Sequence, residues 1–307
     1  MSSVSQRCFV DVTSRPFSDT ELLLRLPIAL TRLLVFVAGI ALYTAVLGAH
    51  FCGPDSSPRF TRSDRVRALT RRFCRLGLRC VGLALEVRGE EHAQQAAESD
   101  CPLLVCNHIS YFDVVSLAAV LGPFSAVGRS DLTSLPLLGR VTAMYGILPV
   151  SKSISDRCGQ GVTAKMAAAV EGAQRWDTRP PLLVFAEGTT TNGSALALFK
   201  TGAFVHGRPV LPVCLRYSGR VSCAWLCRPP QRGLLRHLHP ELANLLHFFC
   251  TFGSGVQVTV LPVHTPCEQE RGDPGLYAER VRADMARTLS IDDTVAPTLA
   301  DALKLYT

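Results

Sequence analysis

Residues 102–122 read Pro-Leu-Leu-Val-Cys-Asn107-His108-Ile-Ser110-Tyr-Phe-Asp113-Val-Val-Ser-Leu-Ala-Ala-Val-Leu-Gly122. The run at 102–107 is apolar without alternation, the pattern of a strand covered on both faces. Ser110 is placed to cap a helix and Gly122 to stop it, which predicts a helix over 110–122. The same rhythm extends in both directions. Strands are predicted at 124–128, 147–151, 181–187, 209–217 and 256–263. Helices are predicted at 135–145, 161–176, 194–207 and 240–253, and a last one with Asp273 as cap, Pro274 in its first position and an end near Leu289. Strands alternating with helices predict an α/β domain with a mostly parallel sheet flanked by helices.

Composition agrees with a packed domain and adds a membrane. Of 307 residues, 48% are hydrophobic and 19% charged, which excludes a disordered chain. Mean hydropathy is +0.22, high for a soluble enzyme and low for a multi-span transporter. The twelve cysteines are irregularly spaced, so they read as reduced core residues rather than a disulfide framework. Residues 33–49 carry no charge. As a helix these 17 residues reach about 26 Å, against a hydrocarbon core of roughly 30 Å. The segment either spans the bilayer or dips in and returns, with Arg25 and Arg32 reaching back to the headgroups. A basic stretch follows, with eight arginines from Arg59 to Arg79, and Val66, Leu69, Phe73 and Leu76 spaced to form one apolar helical face. Such a helix suits an anionic membrane surface, and the positive-inside rule places it, with everything after it, on the cytosolic side. No nucleic-acid motif accompanies the arginines, so no nucleic-acid partner is expected. The chain divides into an N-terminal segment (1–57), a basic membrane-surface region (58–98), a catalytic domain (99–290) and a tail (291–307).

Two clusters carry chemistry. In the first, His108 ends a strand and Asp113 lies in the next helix's first turn. The carboxylate can hold one ring nitrogen and leave the other as a base facing the cleft above the strand ends. Ser110-x-x-Asp113 also has capping-box spacing, so Asp113 has a structural reading as well. The second cluster is Phe185-Ala-Glu187-Gly188-Thr189-Thr190-Thr191-Asn192-Gly193. It leaves a buried strand at the end where open α/β sheets bind ligands, and Gly188 lets backbone approach a phosphate. Cys223-x3-Cys227 with His237 and His239 is too loosely spaced for zinc, and no calcium loop is present, so no metal is expected.

Asn107-His108-x4-Asp113 resembles the first motif of the 1-acylglycerol-3-phosphate acyltransferase superfamily. Phe-Ala-Glu187-Gly188-Thr189-Thr-Thr-Asn192-Gly, continued by Phe199-Lys200-Thr-Gly202, resembles the third, and Val210-Leu-Pro212-Val213 with Tyr217 the fourth. Gly146–Ser153 stands where the second belongs, with Lys152 near its usual arginine, and Arg129-Ser-Asp131 is similar to the basic segment before it. Leu215-Arg-Tyr217 and the stretch 261–289 resemble the lysophosphatidylcholine and lysophosphatidylethanolamine acyltransferase branch.

The resemblance implies acyl transfer from acyl-CoA, as co-substrate, to the free hydroxyl of a lysophospholipid. It implies His108 as general base oriented by Asp113. It implies substrate binding by Asn107, Arg129, Lys152, Glu187, Gly188, Thr189, Thr190, Asn192, Lys200 and Pro212, with no cofactor, at the endoplasmic reticulum membrane. Lys152, Arg129 and Arg140 are candidates for holding the oxyanion or the CoA phosphates. Members that act on lysophosphatidate commonly carry an arginine where Thr190 stands, so a phosphodiester head group such as choline or ethanolamine phosphate is expected instead. The alternatives are a catalytically silent membrane or lipid-droplet scaffold, or an acyltransferase that does take lysophosphatidate.

Overall fold

The strand that ends at the candidate base lies at the centre of the sheet. The computed structural model describes residues 17–51, 64–99, 101–130, 139, 145–150, 160–171, 180–218, 237–238, 245–246, 248–292 and 297–298. The elements are α1 (Asp19–Phe51), α2 (Asp64–Cys80), β1 (Leu83–Arg88), α3 (Glu90–Glu98), β2 (Leu103–Cys106), α4 (Asp113–Leu121), β3 (Ser125–Arg129), β4 (Leu148–Val150), α5 (Gln160–Glu171), β5 (Leu182–Phe185), β6 (Val210–Ser218), β7 (Ser254–Val260), α6 (Glu268–Gly272) and α7 (Pro274–Leu289).

The seven strands lie in the order β1-β7-β6-β2-β5-β3-β4, and every neighbouring pair is parallel except β6 with β7. Successive strand residues point to opposite faces. Leu104 and Cys106 therefore join the layer with Ala93 and Ala96 of α3 and Leu117 and Leu121 of α4. Leu103 and Val105 pack with Met166 of α5 and Tyr277, Val281 and Met285 of α7. Both faces of β2 are covered, which is why it reads as an unbroken apolar run. Asp273 caps α7 as expected, accepting from the N–H groups of Gly275 and Leu276 at 2.9 and 3.1 Å.

Four expectations change. The segment 194–207 is not a helix: its one regular piece is a 3₁₀ turn at Thr201–Ala203. Its backbone donors are claimed at long range, Ala197 by Glu187, Leu198 by Pro297 and Lys200 by Ala186, and this removes the local ladder a helix needs. The helix after His108 starts at Asp113 rather than Ser110. Strand β1, which falls in the stretch expected to lie on the membrane surface, pairs with β7 as an edge strand of the sheet. The charge-free run 33–49 belongs to one unbroken helix of 33 residues, about 50 Å long.

Helix α1 is fastened to the domain at both ends. Arg25 donates to the carbonyl of Cys250, and Arg32 to those of Phe249 and Thr251 at 3.0 and 2.7 Å. Both guanidinium groups lie over the ring of Phe252. These two arginines therefore bond to protein carbonyls instead of reaching for headgroups. Gly82, at φ +85°, leaves the space that the Arg32 guanidinium fills. Farther along, Tyr43 bonds to Thr70 of α2 at 2.8 Å and to Tyr145, and stacks on Phe73. Between these clamps Phe36 packs against Phe112, the residue before Asp113. Helix α2 in turn docks on α4, where Arg75 donates to the carbonyl of Ala119 at 2.9 Å.

Candidate active site

Register brings the two motifs together. Cys106 of β2 pairs with Phe185 of β5 on one side and Val213 of β6 on the other. Asn107-His108 and Ala186-Glu187 thus leave adjacent parallel strands at the same edge, with α4 beginning five residues after His108. This is where the chain connections of a parallel sheet open a cleft.

His108 Nδ1 lies 2.7 Å from Asp113 Oδ2, and the Asp113 carboxylate is fully buried. The same oxygen accepts the backbone N–H groups of Ile109 at 2.7 Å and Ser110 at 2.9 Å. One carboxylate therefore closes the turn that leads into α4 and holds the imidazole. A carboxylate oxygen that already takes two backbone N–H groups can only accept from Nδ1, so in the neutral ring Nε2 carries the lone pair. The ring stacks on Phe185, centroids 4.0 Å apart and planes 15° from parallel, and the side chain keeps 28% exposure. The imidazole is fixed in plane and tautomer with its basic nitrogen outward, as a general base requires.

The backbone of His108 is held as firmly as its ring. Its N–H donates to Glu187 Oε1 at 2.9 Å, and its carbonyl accepts the N–H of Thr191 at 2.9 Å. Glu187 Oε2 accepts the N–H of Ala197. With 1% exposure, burial pushes the Glu187 carboxyl up to about 8, against the opposing pull of those two N–H donors. Asn107 makes a paired bond with the backbone of Leu215 in β6, donating at 2.9 Å and accepting at 2.8 Å. Asn107 and Glu187, expected to bind substrate, instead spend their polar atoms on the protein's own backbone. They position His108.

Comparison with known proteins decides the family. Residues 84–216 match the Acyltransferase family model, a span running from β1 almost to the end of β6. Residues 84–216 carry an acyltransferase-family domain. A lysophospholipid acyltransferase of Arabidopsis thaliana is 35% identical over 184 residues, covering 60% of this chain and 43% of that protein. Lysophosphatidylcholine acyltransferase 1 of Rattus norvegicus is 30% identical over 249 residues, covering 78% of this chain and 43% of its own length. The lysophosphatidylcholine acyltransferase of Drosophila melanogaster is 34% identical, covering 64% of this chain and 34% of that protein. These relatives belong to the branch that the motifs implied. The chain spans less than half the length of each. The crystal structure of a 1-acyl-sn-glycerophosphate acyltransferase of Thermotoga maritima superposes with a TM-score of 0.57 at 18% identity, covering 87% of this chain and 97% of that one, and so shares the fold.

The remaining expected site residues of the acyltransferase domain separate by position. Gly188 has φ +66°, and the Lys200 side chain lies directly over it: a Cβ on Gly188 would sit 2.5 Å from Lys200 Cε and 2.9 Å from Nζ. The loop thus sets a cation over Gly188. Thr190 is buried, and Asn192 shapes the following turn by accepting from the N–H and hydroxyl of Ser194 at 2.9 and 2.6 Å. Pro212 stands inside β6 opposite Val105, buried in the sheet, which gives it a place in the core rather than against substrate. Arg129 closes β3, with its side chain outside the described residues, as are Lys152, Arg140, Cys223 and Cys227. Cys106 is a buried core residue whose thiol burial pushes well up, which keeps it an unreactive neighbour of His108.

Sequence reasoning missed one contact. Tyr217, noted only as part of a motif, donates its hydroxyl to Asp113 Oδ1 at 2.7 Å. The 104 residues between them hide the pairing, and no local spacing could have revealed it.

Proposed function

We propose that the chain is an acyl-CoA-dependent lysophospholipid acyltransferase, with lysophosphatidylcholine or lysophosphatidylethanolamine as acceptor. The observation that carries this reading is the His108–Asp113 pair: Nδ1 engaged, Nε2 outward, at the carboxyl ends of β2 and β5. The acceptor hydroxyl gives its proton to His108 Nε2 as its oxygen attacks the thioester carbonyl carbon. Asp113 stabilises the imidazolium that forms. The tetrahedral intermediate then collapses, the carbon–sulfur bond breaks, and His108 returns the proton to the departing CoA sulfur. No covalent acyl-enzyme forms, because the lipid oxygen is itself the nucleophile. Lys200, placed over Gly188, is the cation within the described site for a phosphate of either substrate. Thr190 supports a monoanionic phosphodiester head, since a phosphomonoester would call for a guanidinium fork there. The relatives' names, which specify lysophospholipid and lysophosphatidylcholine, support the same acceptor class.

The membrane placement follows from α1. Its clamps at Arg25 and Tyr43 are about 27 Å apart along the helix. Away from those clamps it exposes Leu24, Leu30, Leu34 and Leu42. We infer that the helix lies side-on in one leaflet, since a perpendicular crossing would carry the domain into the hydrocarbon core. The cytosolic side and the endoplasmic reticulum belong to the same proposal, on the arginines of α2 and the family resemblance respectively.

The test is acyl transfer by purified protein in micelles, from labelled oleoyl-CoA to a panel of lysophosphatidylcholine, -ethanolamine, -serine, -glycerol and lysophosphatidate, with His108→Ala alongside. Turnover on a phosphodiester acceptor that vanishes in the variant is expected. Turnover mainly on lysophosphatidate would overturn the reading of Thr190. A folded, membrane-bound protein with no turnover on any acceptor would establish the scaffold alternative.

A further inference from the structure

Asp113 meets four donors, and they are unequally shared. Oδ2 takes His108 Nδ1 and two backbone N–H groups, while Oδ1 takes the hydroxyl of Tyr217 at 2.7 Å. Tyr217 projects from the carboxyl end of β6, beyond the residues of that strand paired with β2. Its own hydroxyl lies 3.5 Å from Ser116 Oγ, one turn into α4 from Asp113. We propose that Tyr217 is a positioning residue for acyl transfer, acting on His108 through Asp113.

A buried carboxylate with one bare oxygen is costly, and it can turn about its Cβ–Cγ bond to recover a partner. A turn of that kind would carry Oδ2 off Nδ1 and free the imidazole to change tautomer. The Tyr217 hydroxyl pins the far oxygen, so the near one stays on the ring while the imidazolium forms and discharges. Burial and the Asp113 charge both hold the Tyr217 phenol protonated, so it remains a donor throughout. The other titratable groups around the pair are Glu187, from the loop after β5, and Cys106, from β2, and each reaches Asp113 only through space. The phenol donates to Oδ1 at 2.7 Å, and the Ser110 side chain bonds to the phenol in turn.

This inference rests on His108 being the base, so its experiment separates the two. Wild type, Tyr217→Phe, Asp113→Asn, the double variant and His108→Ala are assayed with lysophosphatidylcholine and oleoyl-CoA, with folding checked by thermal denaturation. Tyr217→Phe keeps the ring and removes only the hydroxyl. The expected result is a kcat lower by about tenfold, the scale of one weakened charge-assisted hydrogen bond, with KM for both substrates within about twofold of wild type. In the Asp113→Asn background the same change should cost less than about twofold, because the route through Asp113 is already broken. A wild-type kcat in Tyr217→Phe, a loss expressed in KM, or an equal loss with and without Asp113 would each overturn the role of Tyr217. An active His108→Ala would instead overturn the base assignment, and Tyr217's role with it.

Discussion

Glu187 Oε1 accepts the backbone N–H of His108 at 2.9 Å, across 79 residues of sequence, while Oε2 of the same carboxylate accepts the N–H of Ala197. One buried side chain thus ties the strand end that carries His108 to the irregular segment that carries Lys200. Glu187→Gln tests this clamp. Glutamine presents one accepting oxygen and turns an NH2 toward the other backbone N–H. A loss of about 1–3 kcal/mol of stability is expected in a denaturant titration near pH 4.5, below the window in which ionisation costs the wild type stability, together with a fall in acyl transfer. Full stability in the variant would contradict the clamp.

The same group gives stability a pH slope of known sign. Burial lifts the Glu187 carboxyl from 4.5 to about 8 in the folded protein. A raised carboxyl contributes fully below its unfolded value, and the contribution is lost as pH rises through the folded one. Between pH 4.5 and about 8 wild type should therefore lose stability relative to Glu187→Gln, by at most about 1.4 kcal/mol per pH unit. Unfolding curves of both proteins across that window measure the difference. Parallel curves would mean that Glu187 is ionised throughout.

Removing the proposed base or its partner should separate binding from chemistry. His108→Ala should lower kcat by at least about 100-fold, and Asp113→Asn by about 10²–10⁴-fold through the wrong tautomer. Asp113→Asn should also lower stability, because its carboxylate closes the turn at Ile109 and Ser110. His108→Ala should lower it less, since the ring is partly exposed and Oδ2 keeps its two backbone donors. Equal destabilisation by both would argue against the double role of Asp113.

Gly188→Ala should act through Lys200. The left-handed backbone and the 2.5 Å approach to Lys200 Cε force the lysine off the loop or the loop off its conformation. The strain should cost about 1–2 kcal/mol. KM for the substrate whose phosphate Lys200 holds should rise with it. An unchanged KM for both acceptor and donor would remove Lys200 from the site.

Helix α1 should show two separable faces. Arg32→Ala removes two carbonyl bonds and a cation–π contact and should lower stability by about 1–3 kcal/mol. Leu34 is 70% exposed, so Leu34→Asp should leave stability within about 0.5 kcal/mol. The same change should weaken binding to phosphatidylcholine vesicles by about tenfold or more in a co-sedimentation assay. Unchanged vesicle binding by Leu34→Asp would contradict a side-on leaflet contact.

The sequence by itself determined the βα rhythm, the strand that carries His108, the capping of α7 and the two polar loops. Each of these is set by neighbours within a few residues: period, caps and breakers. Tertiary structure decided what depends on register and long-range donors. Residues 194–207 have helical composition, but Glu187, Ala186 and Pro297 claim their backbone N–H groups, so no helix forms. Arg25 and Arg32 look like headgroup anchors until the carbonyls of residues 249–251 are brought beside them. Glu187 and Asn107 look like ligand-binding groups until the parallel register turns them inward onto His108 and Leu215. Tyr217 meets Asp113 only because β6 runs beside β2. Local sequence specifies how a segment satisfies its own backbone; only the fold specifies which distant group satisfies what is left over.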